Sequence, residues 1–169
     1  MKWIGITGSW RKSCPELEAD LKREVTAALR DGAGIVSGGA LGVDYIATEL
    51  ALLHAPDGSR LKVFLPSSLD IYAAHYLKRA NEGVITTAQA EALIQQLEAV
   101  SGLGSMTVNT EQTELNETTY YLRDTEVVNA SNELLAFQVN ASAGTQDTID
   151  KARQRKIPTK VFRYIVEQQ

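Results

Sequence analysis

The sequence predicts an α/β protein, a three-layer Rossmann-like domain with a mostly parallel sheet of about five or more strands. Short apolar runs alternate with segments of helical periodicity, which is typical of a parallel sheet with helices on both faces. Three of these runs are followed directly by small, polar or glycine-rich loops. The length of 169 residues fits one domain. We therefore expect residues 1–169 to form a single domain, with a less regular insertion at about 83–116.

The first half of the chain has the pattern β-α-β-α-β-α. The apolar runs Trp3–Thr7, Ile35–Val36 and Leu61–Leu65 are short enough for buried strands. Ser13 followed by Glu16 predicts a capping box at the start of the first helix. The apolar spacing after each strand predicts helices at about 15–31, 43–55 and 70–79.

The second half is less regular before it returns to alternation. Thr87 is predicted to cap a helix that ends before Ser101–Gly104. The polar segment 105–116 has no clear period, so it is predicted to be a loop, with or without a short strand, and either mobile or ordered by a partner. The remaining predicted elements are a helix at about 117–130, a strand at 133–139, a loop at 140–145, a helix to about 155 and a strand at 159–165.

Composition excludes several classes of protein. The formal net charge of −4 argues against a protein that coats nucleic acid over its whole surface. No apolar run reaches the roughly 18 to 20 residues of a membrane span, so no membrane association is expected. The single cysteine, Cys14, excludes a disulfide scaffold and favours a cytoplasmic location.

The stretch from Gly34 to Asp44 predicts a strand, a glycine-rich turn and a helix with Asp44 in its first turn. Bare backbone N–H groups at a helix N-terminus favour an anion such as phosphate. The same glycines are also consistent with a tight connection that has no ligand. Asp44 likewise has two interpretations, as an acceptor for a ribose or base and as a partner of the helix dipole.

Three loops are expected to meet at the carboxyl ends of their strands, where open α/β sheets bind ligands. They span 8–13, 37–44 and 140–145. Their convergence favours a phosphate site, with glycine N–H groups, serine and threonine hydroxyls and Arg11 as ligands. On this basis Gly39→Asp is expected to abolish stabilisation by nucleotides. The candidate ligand-binding residues are Gly8, Ser9, Arg11, Ser37, Gly38, Gly39, Gly42, Asp44, Arg123, Gly144 and Thr145.

The sequence contains no evident catalytic machinery, cofactor motif or metal-ligand spacing. His54 and His75 fall within helical patterns and are expected to be surface or half-buried residues. Ser37 occupies the first glycine position of the dinucleotide fingerprint, so no redox cofactor is expected. The weak catalytic candidates are Asp147 and Asp44, either of which would have to activate a water molecule.

Several motifs resemble, in order, those of the DNA-processing protein A (DprA, or Smf) family within the SMF/LOG superfamily. Ser37–Asp44 is similar to the family's Ser-Gly-x-Ala-x-Gly-Ile-Asp motif, and Gly8–Arg11 to its Gly-Ser-Arg loop. Leu69–Tyr72 is similar to Leu-Asp-x-x-Tyr, and Ala143–Thr145 to Ser-Gly-Ser/Thr. Arg123-Asp124 followed by Ser131 resembles the family's Arg-Asn and serine. The resemblance covers most of the chain except about 83–116.

The resemblance implies a Rossmann-like fold and binding of single-stranded DNA. This chain departs from the family at Leu41, which replaces an arginine, at Thr48, which replaces a histidine, and at the inserted Trp10. The LOG branch hydrolyses nucleoside monophosphates. Its Pro-Gly-Gly-x-Gly-Thr-x-x-Glu loop would lie at 140–148 here, where Thr148 stands in place of the glutamate, and this disfavours hydrolysis.

Three functions are therefore considered. The first is binding of a nucleotide or of single-stranded nucleic acid at the strand-end loops, without catalysis. The second is an enzyme that hydrolyses the N-glycosidic bond of a nucleotide. The third is a signalling module that senses a nucleotide, with a homo-oligomer formed through the last strand and helix.

Overall fold

The computed structural model describes residues 1–167 and confirms the predicted α/β fold class. The strands in this range are β1 (Trp3–Gly8), β2 (Gly34–Ser37), β3 (Leu61–Phe64), β4 (Met106–Thr107), β5 (Glu133–Val139) and β6 (Thr159–Tyr164). The helices are α1 (Pro15–Arg30), α2 (Val43–His54), α3 (Leu69–Asn81), α4 (Thr87–Gly102), α5 (Glu117–Asn129) and α6 (Ala143–Gln154).

The strands form one sheet in the order β4-β3-β2-β1-β5-β6, and all neighbouring pairs are parallel. The chain builds outward from β1 to β4 on one side, then crosses back to place β5 against the other side of β1. The order of the strands therefore reverses between β1 and β5. In open α/β sheets this reversal opens a crevice at the carboxyl ends of the strands.

Alternate residues of β5 pack against helices on opposite faces of the sheet, which produces the three layers. Leu134 and Ala136 join Ile149 of α6 in a smaller apolar cluster. Phe137 and Val139 belong to the larger cluster, which includes residues of α1, α2 and α4. A strand covered on both faces reads as a continuous apolar run, and this is why β5 was recognisable in the sequence.

Strand β4 lies in the polar segment 105–116, which is predicted from the sequence to be a loop with or without a short strand. β4 has two residues, and backbone bonds from Val63 N to the Ser105 carbonyl (2.8 Å) and from Leu65 N to the Thr107 carbonyl (2.9 Å) hold it against β3. Two residues cannot display a periodicity. The pairing with β3, rather than local sequence, therefore defines this strand.

The predicted capping box at Ser13 is wrong. α1 begins at Pro15, which makes Cys14 the residue at the N-cap, and no side chain caps the helix. Proline favours the first helical position because its φ is already helical and it lacks an N–H. With Ser13 as the N-cap the helix would begin at residue 14. The proline instead sets its start one residue later, at Pro15.

None of the helices within residues 1–167 combines the length and the apolar character needed to cross a bilayer. The longest helices, α1 and α4, have 16 residues each. A membrane-spanning helix requires about 20.

Candidate functional site

A cavity of about 870 Å³ lies at the carboxyl ends of β1, β2 and β5, where the strand order reverses. Its walls come from all three of the loops singled out in the sequence, together with α3 and α5. We call it the switch-point cavity. Its size suits a small ligand, because ligand pockets commonly measure about 300 to 1,000 Å³.

The structure brings most of the candidate binding residues together and leaves three outside. Those that line the switch-point cavity are Gly8, Ser9, Arg11, Gly38, Asp44, Arg123, Gly144 and Thr145. Ser37, Gly39 and Gly42 do not line it. Ser37 is fully buried, and its hydroxyl lies 3.4 Å from that of Thr48.

Gly39 and Gly42 serve the geometry of the turn between β2 and α2, which we call the α2 loop (residues 38–42). Both have positive φ angles, 69° and 73°, in the region that favours glycine. A Cβ on Gly39 would lie 2.5 Å from Leu65 in the core, and one on Gly42 would overlap the Ser9 carbonyl. The α2 loop is therefore tightly packed against the core and against the loop after β1.

The protein itself occupies most of the N–H groups from Gly39 to Val43, in the α2 loop and at the first residue of α2. They donate to side-chain or backbone oxygens as follows: Gly39 to Ser37 Oγ (3.4 Å), Ala40 to Asp44 Oδ2 (3.2 Å), Leu41 to the Tyr76 hydroxyl (3.4 Å) and Val43 to the Ser9 carbonyl (3.0 Å). An N–H group that already donates is not available to a phosphate. The glycine-rich stretch thus presents few free donors to the cavity.

The N-terminus of α6 is open by contrast. Ser142 occupies the N-cap, yet its side chain caps no N–H, and its Oγ is buried without a hydrogen-bond partner. Gly144 has no atom within 4 Å of the position that a Cβ would take. The first N–H groups of a helix have no intrahelical acceptor. Two residues with positive φ, Asn140 (51°) and Ala141 (53°), make the sharp turn that places this helix end beside β5.

Arg123 organises the floor of the cavity from α5. Its Nη1 donates to the Gly38 carbonyl, and its Nε pairs with Asp124 Oδ1 at 3.1 Å. Its side chain is only 12% exposed, and the guanidinium lies 5.4 Å from the ring of Tyr120. A Cβ on Gly38 would lie 2.8 Å from this guanidinium, so the glycine is needed for the close approach. Arg123 thus clamps the α2 loop instead of offering a free charge.

Asp44 and Asp124 lie beside Arg123 in surroundings that disfavour their charge. Burial raises the pKa of Asp44 to about 6, against the opposing attraction of Arg123. Burial also raises the pKa of Asp124, again opposed by Arg123. Desolvation therefore outweighs ion pairing at both carboxyl groups.

The sequence analysis did not predict the aromatic side chains that lie in and beside the cavity. The Tyr72 hydroxyl donates to the Gly39 carbonyl (3.1 Å), and Tyr76 packs edge-on against Trp10 with ring centroids 6.2 Å apart. Trp10 lines the cavity and is 38% exposed. Tyr72 and Tyr76 stand four residues apart and therefore lie on the same face of α3. Two tyrosine hydroxyls on one helix face are the signal by which the sequence could have indicated this part of the site.

The residues considered for catalysis are dispersed. Asp147 does not line the cavity, and its carboxylate pairs with Lys151 Nζ at 2.6 Å. His54 is exposed near the end of α2, whereas His75 lines the cavity, where burial lowers its pKa. Within residues 1–167 no group of three metal-ligating side chains is found.

Cationic side chains outnumber carboxylates in the lining of the cavity, four to three, although the whole chain is acidic. Four cationic side chains line it, against the carboxylates of Asp44, Glu117 and Asp124. These cations are Arg11, Lys12, Arg79 and Arg123. Among residues 1–167, Arg11 forms no ion pair, and its guanidinium carbon lies 5.8 Å from the centroid of the Trp10 ring. The local balance therefore differs from the formal net charge of −4.

The reversed strand order and the cavity at the reversal are those of a Rossmann-like fold with a crevice at the carboxyl ends of its strands. Among solved structures, the chain is similar to a DNA-processing protein A from Helicobacter pylori, described for its single-stranded DNA binding mode, with 21% identity and a TM-score of 0.69. It is also similar to DprA from Streptococcus pneumoniae (14%, 0.53) and to TM1055, a structural genomics target (17%, 0.50). The chain therefore has the DprA-like fold that its motifs predicted.

These similarities cover nearly the whole chain but only part of the two DprA proteins. The matches extend over 99% and 94% of this chain, and over 66% and 58% of the chains from H. pylori and S. pneumoniae. The match to TM1055 covers 94% of this chain and 72% of that one. Comparisons with protein-family models and with curated protein sequences find no match.

Proposed function

We propose that this protein binds a phosphate-bearing ligand, a nucleotide or a segment of single-stranded nucleic acid, in the switch-point cavity. The observation that carries the proposal is the open N-terminus of α6, which lies in a cavity at the reversal of strand order. Unsatisfied N–H groups and the helix dipole together favour an anion there. In this proposal the phosphate lies against Gly144 and Ser142.

The side chains around the α6 N-terminus support an anion. Ser142 Oγ is buried without a partner, and a phosphate oxygen would satisfy it. Arg11 lies on the loop after β1, lines the cavity and forms no ion pair among residues 1–167. Guanidinium groups bind phosphate with charge-assisted and frequently bidentate hydrogen bonds.

Trp10 gives the proposed site a surface for a base. Its indole ring is partly exposed, lines the cavity and is braced by Tyr76. Nucleobases stack on such rings with little sequence preference, at about 1 to 3 kcal/mol for each base. The similarity of the fold to the H. pylori protein supports single-stranded DNA as one such ligand. The cytoplasmic location and the homo-oligomer remain predictions.

Gly144→Asp tests the proposal. The substitution places a carboxylate at the proposed phosphate position without a steric clash, because no atom lies within 4 Å of the new Cβ. An acidic residue in the first turn of a helix is favourable for the fold. We expect thermal unfolding of the free protein to stay the same or shift upward, whereas affinity for nucleotides and oligonucleotides falls about tenfold or more, measured by titration calorimetry.

Gly144→Asn is the matched control, because it adds the same volume without the charge. We expect it to retain most of the affinity. Equal affinities of the wild type and Gly144→Asp, or the absence of binding to every nucleotide and oligonucleotide offered, would rule out the α6 site.

Salt and product analysis separate the candidate ligands and activities. Affinity for a single-stranded oligonucleotide is expected to fall steeply as salt rises, because the strand releases counterions, and affinity for a mononucleotide much less. The hydrolase alternative predicts release of free base from a nucleoside monophosphate. Asp44 is the candidate carboxylate in the cavity for that reaction, since Asp147 lies outside it and pairs with Lys151.

A further inference from the structure

We infer that Asp44 recognises the nucleoside part of the ligand, by accepting a hydrogen bond at Oδ1 from an N–H or O–H donor on the base or the sugar. This inference rests on the proposed function, and it gives the two ends of the ligand separate partners. The phosphate lies at the N-terminus of α6. The base or sugar lies at the start of α2.

The hydrogen bonds of Asp44 leave one oxygen for a ligand. Asp44 lines the switch-point cavity and is 7% exposed. Oδ2 accepts from the backbone N–H of Ala40 at 3.2 Å. Oδ1 is buried and has no hydrogen-bond partner. Buried polar atoms are nearly always paired, so an unpaired carboxylate oxygen in a cavity wall indicates a partner supplied from outside the protein.

The chemistry of that partner follows from the charges around it. A phosphate is excluded, because a carboxylate repels it and accepts but does not donate hydrogen bonds. Arg123 is already engaged by the Gly38 carbonyl and by Asp124. Within residues 1–167 no third ligand completes a metal site around Asp44. A neutral donor remains, and nucleosides supply such donors as base amino or imino groups and sugar hydroxyls.

The position of Asp44 is fixed before any ligand binds. Arg123 holds the carbonyl of Gly38, and the Tyr72 and Tyr76 hydroxyls hold the carbonyl of Gly39 and the N–H of Leu41. Ala40 N–H then holds Oδ2 of Asp44. A group held from several sides loses little rotamer entropy when it binds. The α2 loop therefore acts as a rigid mount for one acceptor.

The ionised carboxyl group of Asp44 lowers the stability of the free protein at neutral pH. Burial raises the pKa of Asp44 to about 6, so the ionised form is disfavoured in the folded chain. A residue that only capped the α2 loop would not need this charge, because a neutral amide also accepts from Ala40 N–H. Asp44→Asn is therefore expected to raise the melting temperature of the free protein at neutral and alkaline pH.

The test compares wild type, Asp44→Asn and Asp70→Asn by titration calorimetry and thermal unfolding. Asp70 is a suitable control because it occupies the second position of α3, as Asp44 does in α2, but is exposed. The probes are the four ribonucleoside 5′-monophosphates, their 2′-deoxy counterparts and short homopolymeric deoxyoligonucleotides. Asparagine presents an NH₂ donor where Asp44 presents Oδ1, so two donors then face each other.

We expect Asp44→Asn to lose about fivefold or more in affinity for the tightest probe, with an unchanged or higher melting temperature and unchanged binding by Asp70→Asn. A smaller loss overturns the role of Asp44 and leaves the α6 phosphate site standing. If the wild type binds none of the probes, the proposed function fails, and the inference fails with it.

If Asp44→Asn fails to fold, the inference is tested on the wild type with ligands that lack one hydrogen-bond donor. A loss of about fivefold or more on removing the 2′-hydroxyl assigns the sugar, and a similar loss on removing the base amino group, as from adenosine to purine riboside monophosphate, assigns the base. If the wild type tolerates every such deletion, the inference is wrong.

Discussion

Two helices begin at the switch-point cavity, and their N-termini differ. The α2 loop contains the more conspicuous glycine motif, yet Ser37, Asp44, Tyr76 and the Ser9 carbonyl accept from most of the N–H groups between Gly39 and Val43. The α6 N-terminus has a single glycine, and the Oγ of its N-cap residue Ser142 has no hydrogen-bond partner. The protein's own groups occupy the N–H donors of the α2 loop, whereas the α6 N-terminus is open to a phosphate.

This difference shows why a glycine motif alone does not locate a phosphate. Glycine allows a positive φ and a close approach of neighbouring groups, and the fold can use that approach for its own side chains. At Gly38 the neighbour is the guanidinium of Arg123. At Gly144 there is no neighbour within 4 Å. The free space next to the glycine, rather than the glycine itself, distinguishes a candidate binding site.

The largest expected effect that separates the two regions is on folding. In Gly39→Asp the new Cβ would lie 2.5 Å from Leu65, and the backbone at this position has a φ of 69°, which favours glycine. The substitution also buries a carboxylate next to the core. We expect a loss of about 4 kcal/mol or more in the free energy of unfolding, measured by urea denaturation of the free protein. The effect expected from the sequence, a carboxylate on the path of the phosphate, does not follow from this geometry.

Gly144→Asp is the matched substitution in the other region. The same residue change should leave the unfolding free energy within about 0.5 kcal/mol of the wild type or increase it. Similar destabilisation by both substitutions would show that the α6 N-terminus is as tightly packed as the α2 loop, and would remove the contrast between them.

A smaller effect is expected when the clamp on the α2 loop is removed. Arg123→Met leaves the carboxyl groups of Asp44 and Asp124 without their counter-charge, which costs about 3 kcal/mol of stability near neutral pH. The exposed Arg23→Met, which removes a pair with Asp20, should cost less than about 1 kcal/mol. Urea denaturation of both variants gives the comparison.

The loss in Arg123→Met should shrink as the pH falls. Burial already raises the pKa of Asp44 to about 6 in the wild type, and the loss of Arg123 raises it further. The folded state of the variant then binds protons that the unfolded state does not, so its stability increases as the pH falls from about 7 towards 4. A destabilisation that is independent of pH over this range would mean that the clamp acts by packing alone.

The smallest effects on stability and affinity are expected for alanine substitutions of two serines, one at each helix end. Ser37→Ala removes a buried hydroxyl that contacts Gly39 N–H and Thr48, and should cost about 1 kcal/mol of stability without changing affinity. Ser142→Ala removes an unpartnered Oγ, so stability should not fall, while affinity for a nucleotide falls several-fold. Thermal unfolding and calorimetry on the two variants read out both quantities. The reverse pattern would place the phosphate at the α2 loop.

Most of the fold followed from the sequence. The strands β1, β2, β3 and β5 are short, predominantly apolar runs, because helices cover both faces of the sheet. The helices follow from the spacing of their apolar residues. β4 was not defined by its sequence, since it has two residues and depends on hydrogen bonds to β3. The start of α1 was misplaced because Pro15, and not Ser13, sets it.

The candidate site followed in part. The loops that meet at the cavity were recognised because strand ends carry short runs of small and polar residues. Trp10 and Tyr76 were not among the predicted site residues, because they become one surface of the cavity only through their contact across 66 residues of sequence, between the loop after β1 and α3. Ser37, Gly39 and Gly42 were included, but they lie outside the cavity.

The sequence by itself determined the fold class, the loops that meet and the residue types available for a phosphate, because these depend on local periodicity and on the order of the elements. Only the tertiary structure decided which helix end is open. Whether an N–H or a carboxylate oxygen is free depends on groups distant in sequence, such as Tyr76, which approaches Leu41, and Arg123, which approaches Gly38. Glycine-rich turns alone do not encode those contacts.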